Sequence, residues 1–200
     1  RKDFKQIASN GKPVIICPNH LTMVDSVIIQ YALAPMWKYF FQFRLFAWNI
    51  PDKENFSSSV FLRIITYLSK CIPIDRQGSE MHIQGVLEKV DSILKSNETF
   101  MIFPEGKRSR TGRIETEEVT YGVGKILQNN PNALVLCVYC RGRKQTTYST
   151  IPARKEKFYI KIKAISPKTN SNGLRGQRDL SVQIIQELKS MEEDYEKSIR

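Results

Sequence analysis

The sequence predicts an α/β domain with a mostly parallel central sheet and helices on its faces. Apolar, β-branched runs alternate along the chain with segments of helical periodicity, the order that builds such sheets. Two polar loops, NHLTMVD and PEGKRSR, each follow an apolar run. In an open α/β sheet, strand-end loops of this kind share one rim. The 200 residues, 41% of them hydrophobic, are enough for one buried core and too apolar for a disordered chain. Residues 1–200 are therefore read as a single domain.

The elements follow in order. Residues 13–18 form a continuous apolar run, the pattern of a buried strand. Residues 22–33 predict a helix, with Thr22 at the N-cap and Asp25 at the third helical position. MWKYFFQFRLFAW at 36–48 is dense in aromatics, and PDKEN ends it. Residues 57–69 fit a helix opened by serines, and CIPID at 71–75 a short edge or irregular strand, because Pro73 lacks a ladder donor. Ile83, Val86, Leu87, Val90, Ile93 and Leu94 recur at helical spacing over 79–95. TFMIF at 99–103 is strand-like. Residues 116–128 read as a helix with Gly122 and Gly124 as weak points. ALVLCVY at 133–139 is a buried strand, and KFYIKIKAI at 157–165 alternates as a strand with one wet face. A charged amphipathic helix runs from Gln177 onward.

Lys and Arg number 31 against 20 Asp and Glu, a formal charge of +11. Such an excess favours an anionic partner: nucleic acid, an acidic membrane face or a phosphorylated ligand. No RRM, KH or zinc-finger pattern accompanies it, which argues against a nucleic-acid module. Cys17, Cys71, Cys137 and Cys140 are read as reduced thiols of an intracellular protein. CPNH and CVYC together offer four zinc-ligand types, but the odd spacing of Cys137 and Cys140 in a strand points them to opposite faces. No apolar run approaches the ~20 residues that span a bilayer. The chain begins with Arg1 rather than Met, which leaves an upstream anchor open.

His20 and Asp25 in NHLTMVD carry two readings. In one, Thr22 caps a helix, Asp25 reaches back to the Thr22 N–H and His20 is a loop residue. In the other, the Asp25 carboxylate binds one imidazole nitrogen and fixes the tautomer, so that the second nitrogen can take a proton from a hydroxyl. The two are compatible. PEGKRSR is likewise either a solvated turn or a phosphate site, with Lys107, Arg108, Arg110 and Arg113 as cations. It is not a P-loop, since Met101 stands where the first glycine would be and Arg108 where Ser or Thr would. In IPIDRQG, Asp75-Arg76 is either a surface ion pair or a further phosphate contact.

These pieces, in this order, resemble the glycerolipid acyltransferase family, which includes the lysophosphatidate and glycerol-3-phosphate acyltransferases. Its first block, NHxxxxD, is matched by Asn19, His20 and Asp25; its second by IPIDR with Asp75 and Arg76; its third, FPEGxRS, by Phe103, Pro104, Glu105, Gly106, Arg108 and Ser109. The fourth block departs: LVLCVYCRG has Tyr139 and Cys140 where relatives carry a proline-containing turn. Lys107 stands where many relatives have threonine. The resemblance implies a glycerol-3-phosphate acyltransferase-like fold and transfer of an acyl group from acyl-CoA or acyl carrier protein to a lysophospholipid hydroxyl, lysophosphatidate first among the acceptors. His20 would be the general base and Asp25 its orienter. A backbone N–H near Gly106 would steady the oxyanion. Arg76, Gly106, Lys107 and Arg108 would line the site of the acceptor's phosphate, and Glu105 would either bond its glycerol hydroxyls or shape the loop by pairing with a nearby Arg. No metal and no cofactor are implied beyond the thioester co-substrate. Another acceptor within the family remains an alternative.

The aromatic stretch either fills the core or meets lipid. Trp37, Tyr39, Phe40, Phe43 and Trp48, with Lys38 and Arg44 among them, suit a bilayer interface. On that reading the protein is membrane-associated on the cytoplasmic face, and its basic charge favours an anionic leaflet.

Overall fold

The structure, a computed structural model, describes residues 4, 11–53, 68–75, 77–117 and 119–199. Its strands are β1 (Val14–Pro18), β2 (Trp48–Asn49), β3 (Thr99–Met101), β4 (Leu134–Gly142) and β5 (Phe158–Ile165). They form one sheet in the order β2-β3-β1-β4-β5. The β1/β3, β1/β4 and β2/β3 pairs are parallel, and β5 joins antiparallel to β4. The helices are α1 (Asp25–Leu33), α2 (Met36–Phe41), α3 (Glu80–Lys95), α4 (Gly122–Asn129) and α5 (Gly173–Ile199). A 3-10 turn at Phe43–Leu45 follows α2. The fold is therefore the mostly parallel α/β sheet that the alternating pattern predicts.

Side-chain alternation along the strands divides the core in two. Ile15, Cys17, Phe100, Val135, Cys137 and Tyr139 face α3, α4 and α5 through Val90, Leu94, Ile126, Ile184 and Leu188. Val14, Ile16, Met101, Leu136, Val138 and Cys140 face α1 through Ile29 and Leu33. All five residues of β1 are buried, as a central strand covered on both faces requires. Cys137 and Cys140 do lie on opposite faces. Cys17 sits beside Cys137 in the β1/β4 register, and burial raises the pKa of both thiols.

The sheet order makes β1 a switch point. After β1 the chain builds toward β2 and β3 on one side, then crosses to β4 on the other. Crevices form where neighbouring loops diverge beyond the carboxyl ends of such strands. The loops after β1 and β3 meet at this rim.

Several local expectations change. Helix α1 begins at Asp25 with Val24 as its N-cap residue. Thr22 lies outside it, pairing with Ser149 in an isolated bridge. Residues 71–75 make only isolated bridges, Asn49 with Cys71 and Asp52 with Ile74, which fits the missing donor at Pro73. The helix read over 116–128 starts at Gly122. Most of the segment read as a helix over 57–69, and Arg76, lie outside the described residues. The wet-faced strand at 157–165 is the antiparallel edge strand β5. β4 runs unbroken through Tyr139 and Cys140, one on each face, so the fourth block here is plain strand.

Gly124 is a packing position rather than a weak point. A Cβ there would lie 1.9 Å from the Gln177 carbonyl oxygen of α5, and its N–H donates to Ser181 Oγ at 3.1 Å. Nothing lies within 4 Å of a Cβ built on Gly122. Gly124→Ala is expected to destabilise the protein by about 1–3 kcal/mol through forced separation of α4 and α5. Gly122→Ala should be neutral or stabilising by up to about 1 kcal/mol. Thermal melts of the two variants check this, and equal melts would contradict the close approach.

Candidate active site

The site starts where β1 leaves the sheet. Pro18 ends the strand, and the buried Asn19 side chain takes over its pairing with β4. Its Nδ2 donates to the Cys140 carbonyl at 3.0 Å, and the Cys140 N–H donates to its Oδ1 at 2.7 Å. An asparagine can do this because its amide carries a donor and an acceptor, like a peptide. The chain is thus held to β4 one residue beyond the ladder, and His20 is the first residue free to turn out.

Asp25 organises the turn. Its Oδ2 accepts from the Leu21 N–H at 2.6 Å and the Thr22 N–H at 2.7 Å, and lies 3.0 Å from His20 Nδ1. Its Oδ1 accepts from Thr22 Oγ1 at 2.6 Å. Asp25 as a whole is 3% exposed. The structure keeps the Asp25 contacts of both readings of NHLTMVD, but not the Thr22 cap. Asp25 reaches back to the Thr22 N–H, and the same carboxylate holds the imidazole. The Thr22 hydroxyl binds Asp25 and accepts from the Val24 N–H at 3.3 Å, instead of capping the helix itself.

A neutral ring that donates to this carboxylate from Nδ1 keeps its lone pair on Nε2. Nε2 makes no hydrogen bond among the described residues. The ring stacks on Phe103, centroids 4.0 Å apart, and its side chain is 21% exposed. That exposure gives onto a cleft of about 700 Å3 lined by His20, Ile50, Ile74, Ile102, Gly106 and Arg108, among others.

The PEGKRSR loop grips the His20 peptide from both sides. Glu105 Oε1 accepts the His20 N–H at 2.8 Å, and the Ser109 N–H donates to the His20 carbonyl at 2.9 Å. Ser109 Oγ donates to the Arg113 carbonyl at 2.5 Å, closing the loop on itself. Gly106 permits the turn. Its φ of +70° is costly for other residues, and a Cβ there would lie 2.6 Å from Thr120 Cγ2.

The expected ligand contacts therefore separate. Gly106 and Arg108 line the cleft, with Arg108 also over the Tyr148 ring at 5.8 Å. The Gly106 N–H donates to the Phe103 carbonyl at 3.0 Å, which engages it in the turn instead of leaving it for an oxyanion. Glu105 is 8% exposed and lies outside the lining of the cleft, and its carboxyl group holds the His20 N–H. Lys107 is exposed on the loop. Arg113 pairs with Glu196 of α5. The contacts of Glu105 and Ser109 to His20 escape a sequence reading because partners 85 and 89 residues apart leave no local pattern.

The aromatic stretch also divides. Trp37, Phe40, Phe41 and Phe43 are more than half exposed. Tyr39 is buried, its hydroxyl donating to the Gln30 carbonyl at 2.5 Å. Trp48 belongs to β2 and donates from Nε1 to Glu98 at 2.8 Å. The outward set is thus Trp37, Phe40, Phe41 and Phe43; Tyr39 and Trp48 anchor the segment inward.

The family model described as Acyltransferase matches residues 2–167. The chain belongs to the acyltransferase family. Among curated proteins, a 1-acyl-sn-glycerol-3-phosphate acyltransferase of Cocos nucifera is 31% identical over 106 residues, 53% of this chain. That match spans only 30% of the relative's own length. The family assignment covers the sheet through β5 and both loops of the site, while α5 lies beyond the matched residues.

Burial lifts the Glu105 carboxyl to about 8, offset in part by the His20 N–H and increased by the charges of Glu192, Glu115 and Asp25. The folded value lies above the unfolded one. Its contribution to stability is therefore full below the unfolded value of 4.5 and is lost as pH rises toward about 8. Glu105→Gln keeps an oxygen for the His20 N–H and cannot ionise. Its melting temperature relative to wild type is expected to rise between about pH 5 and about pH 9. Parallel melting curves across that range would contradict the burial of an ionisable group at this position.

Proposed function

We propose that the protein transfers a fatty acyl group from an acyl thioester, on coenzyme A or acyl carrier protein, to the free hydroxyl of a lysophospholipid, converting lysophosphatidate to phosphatidate. The observation that carries the reading is the 3.0 Å contact of His20 Nδ1 with the buried Asp25 carboxylate at the mouth of a cleft. The name of the Cocos nucifera relative supports the acceptor class.

The chemistry follows from the geometry. Nε2 takes the proton of the acceptor hydroxyl as its oxygen attacks the thioester carbonyl carbon. Asp25 stabilises the imidazolium that forms. Collapse of the tetrahedral intermediate breaks the C–S bond, and the leaving thiolate takes the proton back from Nε2. The acyl group passes directly to the acceptor, with no acyl-enzyme. Arg108 on the cleft wall serves the acceptor phosphate, for which a guanidinium offers forked donors. The apolar wall of Ile50, Ile74, Met101 and Ile102 suits hydrocarbon.

A lipid acceptor calls for access to a bilayer. Trp37, Phe40, Phe41 and Phe43 form an exposed apolar surface with Lys38 and Arg44 beside it. In this proposal they rest on an anionic leaflet at its interface, where aromatic rings and basic side chains are both favoured.

One assay tests both parts: thiol release from palmitoyl-coenzyme A, with and without lysophosphatidate carried in anionic vesicles. Wild type should show acceptor-dependent release, reduced by a factor of about 10²–10⁴ in His20→Ala. Equal release from both would reduce His20 to a loop residue. No release from either would overturn this donor and acceptor pair. The triple variant Trp37→Ser, Phe40→Ser, Phe41→Ser should sediment less with the vesicles and still turn over a water-soluble short-chain acceptor. Unchanged sedimentation would remove the aromatic surface from the account.

A further inference from the structure

Helix α5 lies beyond the residues that match the family, yet its C-terminal half reaches the catalytic loop. Leu188, Met191 and Tyr195 pack on the sheet as a covering helix should. Glu192, in the same stretch, is only 1% exposed. A buried carboxylate at an apolar contact is costly unless donors surround it. Here they do. Its two oxygens lie 3.2 and 3.4 Å from the Ile114 N–H, and Lys189 Nζ lies at 2.6 Å. One turn on, Glu196 pairs with Arg113.

Arg113 and Ile114 close the loop that holds His20. The Arg113 carbonyl accepts from Ser109 Oγ at 2.5 Å, and the Ser109 N–H donates to the His20 carbonyl at 2.9 Å. Between them, the Gly112 carbonyl accepts from Arg141 on β4 at 2.5 Å. The loop is thus fixed to His20 at one end, to β4 in the middle and to α5 at the far end. An apolar residue at 192 would cover the sheet equally well, but would leave the Ile114 N–H buried without an acceptor.

We propose that Glu192 is a positioning residue for the His20 base, acting through Ile114, Arg113 and Ser109. This rests on the acyl-transfer reading for its kinetic part. The hydrogen-bond chain itself is tested without turnover.

The test compares Glu192→Met, Glu192→Gln and wild type in the whole chain. Met is unbranched, close in length and adaptable in a packed site, and it carries no acceptor for the Ile114 N–H. Gln keeps a carbonyl oxygen there. Two readouts are taken: amide hydrogen exchange over 105–114 and 19–22, and kcat and KM for the thioester. Glu192→Met should exchange faster in both segments and lose about 10–100-fold in kcat at nearly unchanged KM, the signature of a misplaced catalytic group. Glu192→Gln should restore protection and most of kcat. A folded Glu192→Met with wild-type exchange in both segments would overturn the proposal. So would a Gln variant as impaired as Met, since that would make charge, not the acceptor, the active feature. Should Met fail to fold, Glu192→Leu takes its place with the same readouts. If wild type shows no turnover, the acyl-transfer reading fails by itself, and the exchange data still decide whether Glu192 holds the loop.

Discussion

The carboxylate of Asp25 gathers the Leu21 and Thr22 N–H groups, the Thr22 hydroxyl and His20 Nδ1 within one short turn. Each partner alone would be an ordinary turn contact. Together they satisfy both oxygens of a carboxyl group on a residue that is 3% exposed. The turn that converts strand β1 into helix α1 is therefore also the device that fixes the imidazole. Ring and turn thus share one anchor, the Asp25 carboxylate.

The loop after β3 supplies the second constraint. Parallel strands bring the ends of β1 and β3 to one rim, and there the loop holds the His20 peptide by its N–H through Glu105 and by its carbonyl through Ser109. The side chain and the backbone of His20 are thus fixed by different segments. Asp25 sets the ring, the 103–114 loop sets the peptide, and β4 and α5 hold the loop. Arg108 lines the cleft from that same loop, so whatever shifts the loop shifts Arg108 and His20 together.

The sheet and its flanking helices were legible because burial on both faces produces long apolar runs and helical stripes. Positions with a local cause were legible too, such as the odd spacing that separates Cys137 from Cys140. Strand β2 was not, since two residues at the end of an aromatic stretch carry no periodicity. The direction of Tyr39 was hidden for a related reason: a helix as short as Met36–Phe41 gives too few turns to phase its faces. In the site, NHLTMVD gave the His20–Asp25 pair because both members lie within one turn of chain. Glu105 was visible as a residue, but its contact was not, because its partner is a peptide N–H with no side-chain signature. Glu192 had no signal at all beyond a charge in an amphipathic helix.

The central claim is that His20 presents a bare Nε2 toward the cleft because Asp25 holds the hydrogen on Nδ1. Nitrogen-15 NMR of the histidine rings at alkaline pH reads this directly, with His82→Gln used to assign the two. The account predicts that His20 shows a protonated Nδ1 and a pyridine-like Nε2, and that Asp25→Asn disturbs this pattern. A His20 ring protonated on Nε2 would contradict the account, because its lone pair would then sit on Nδ1 against Asp25 and not on the nitrogen that must take a proton from an acceptor hydroxyl.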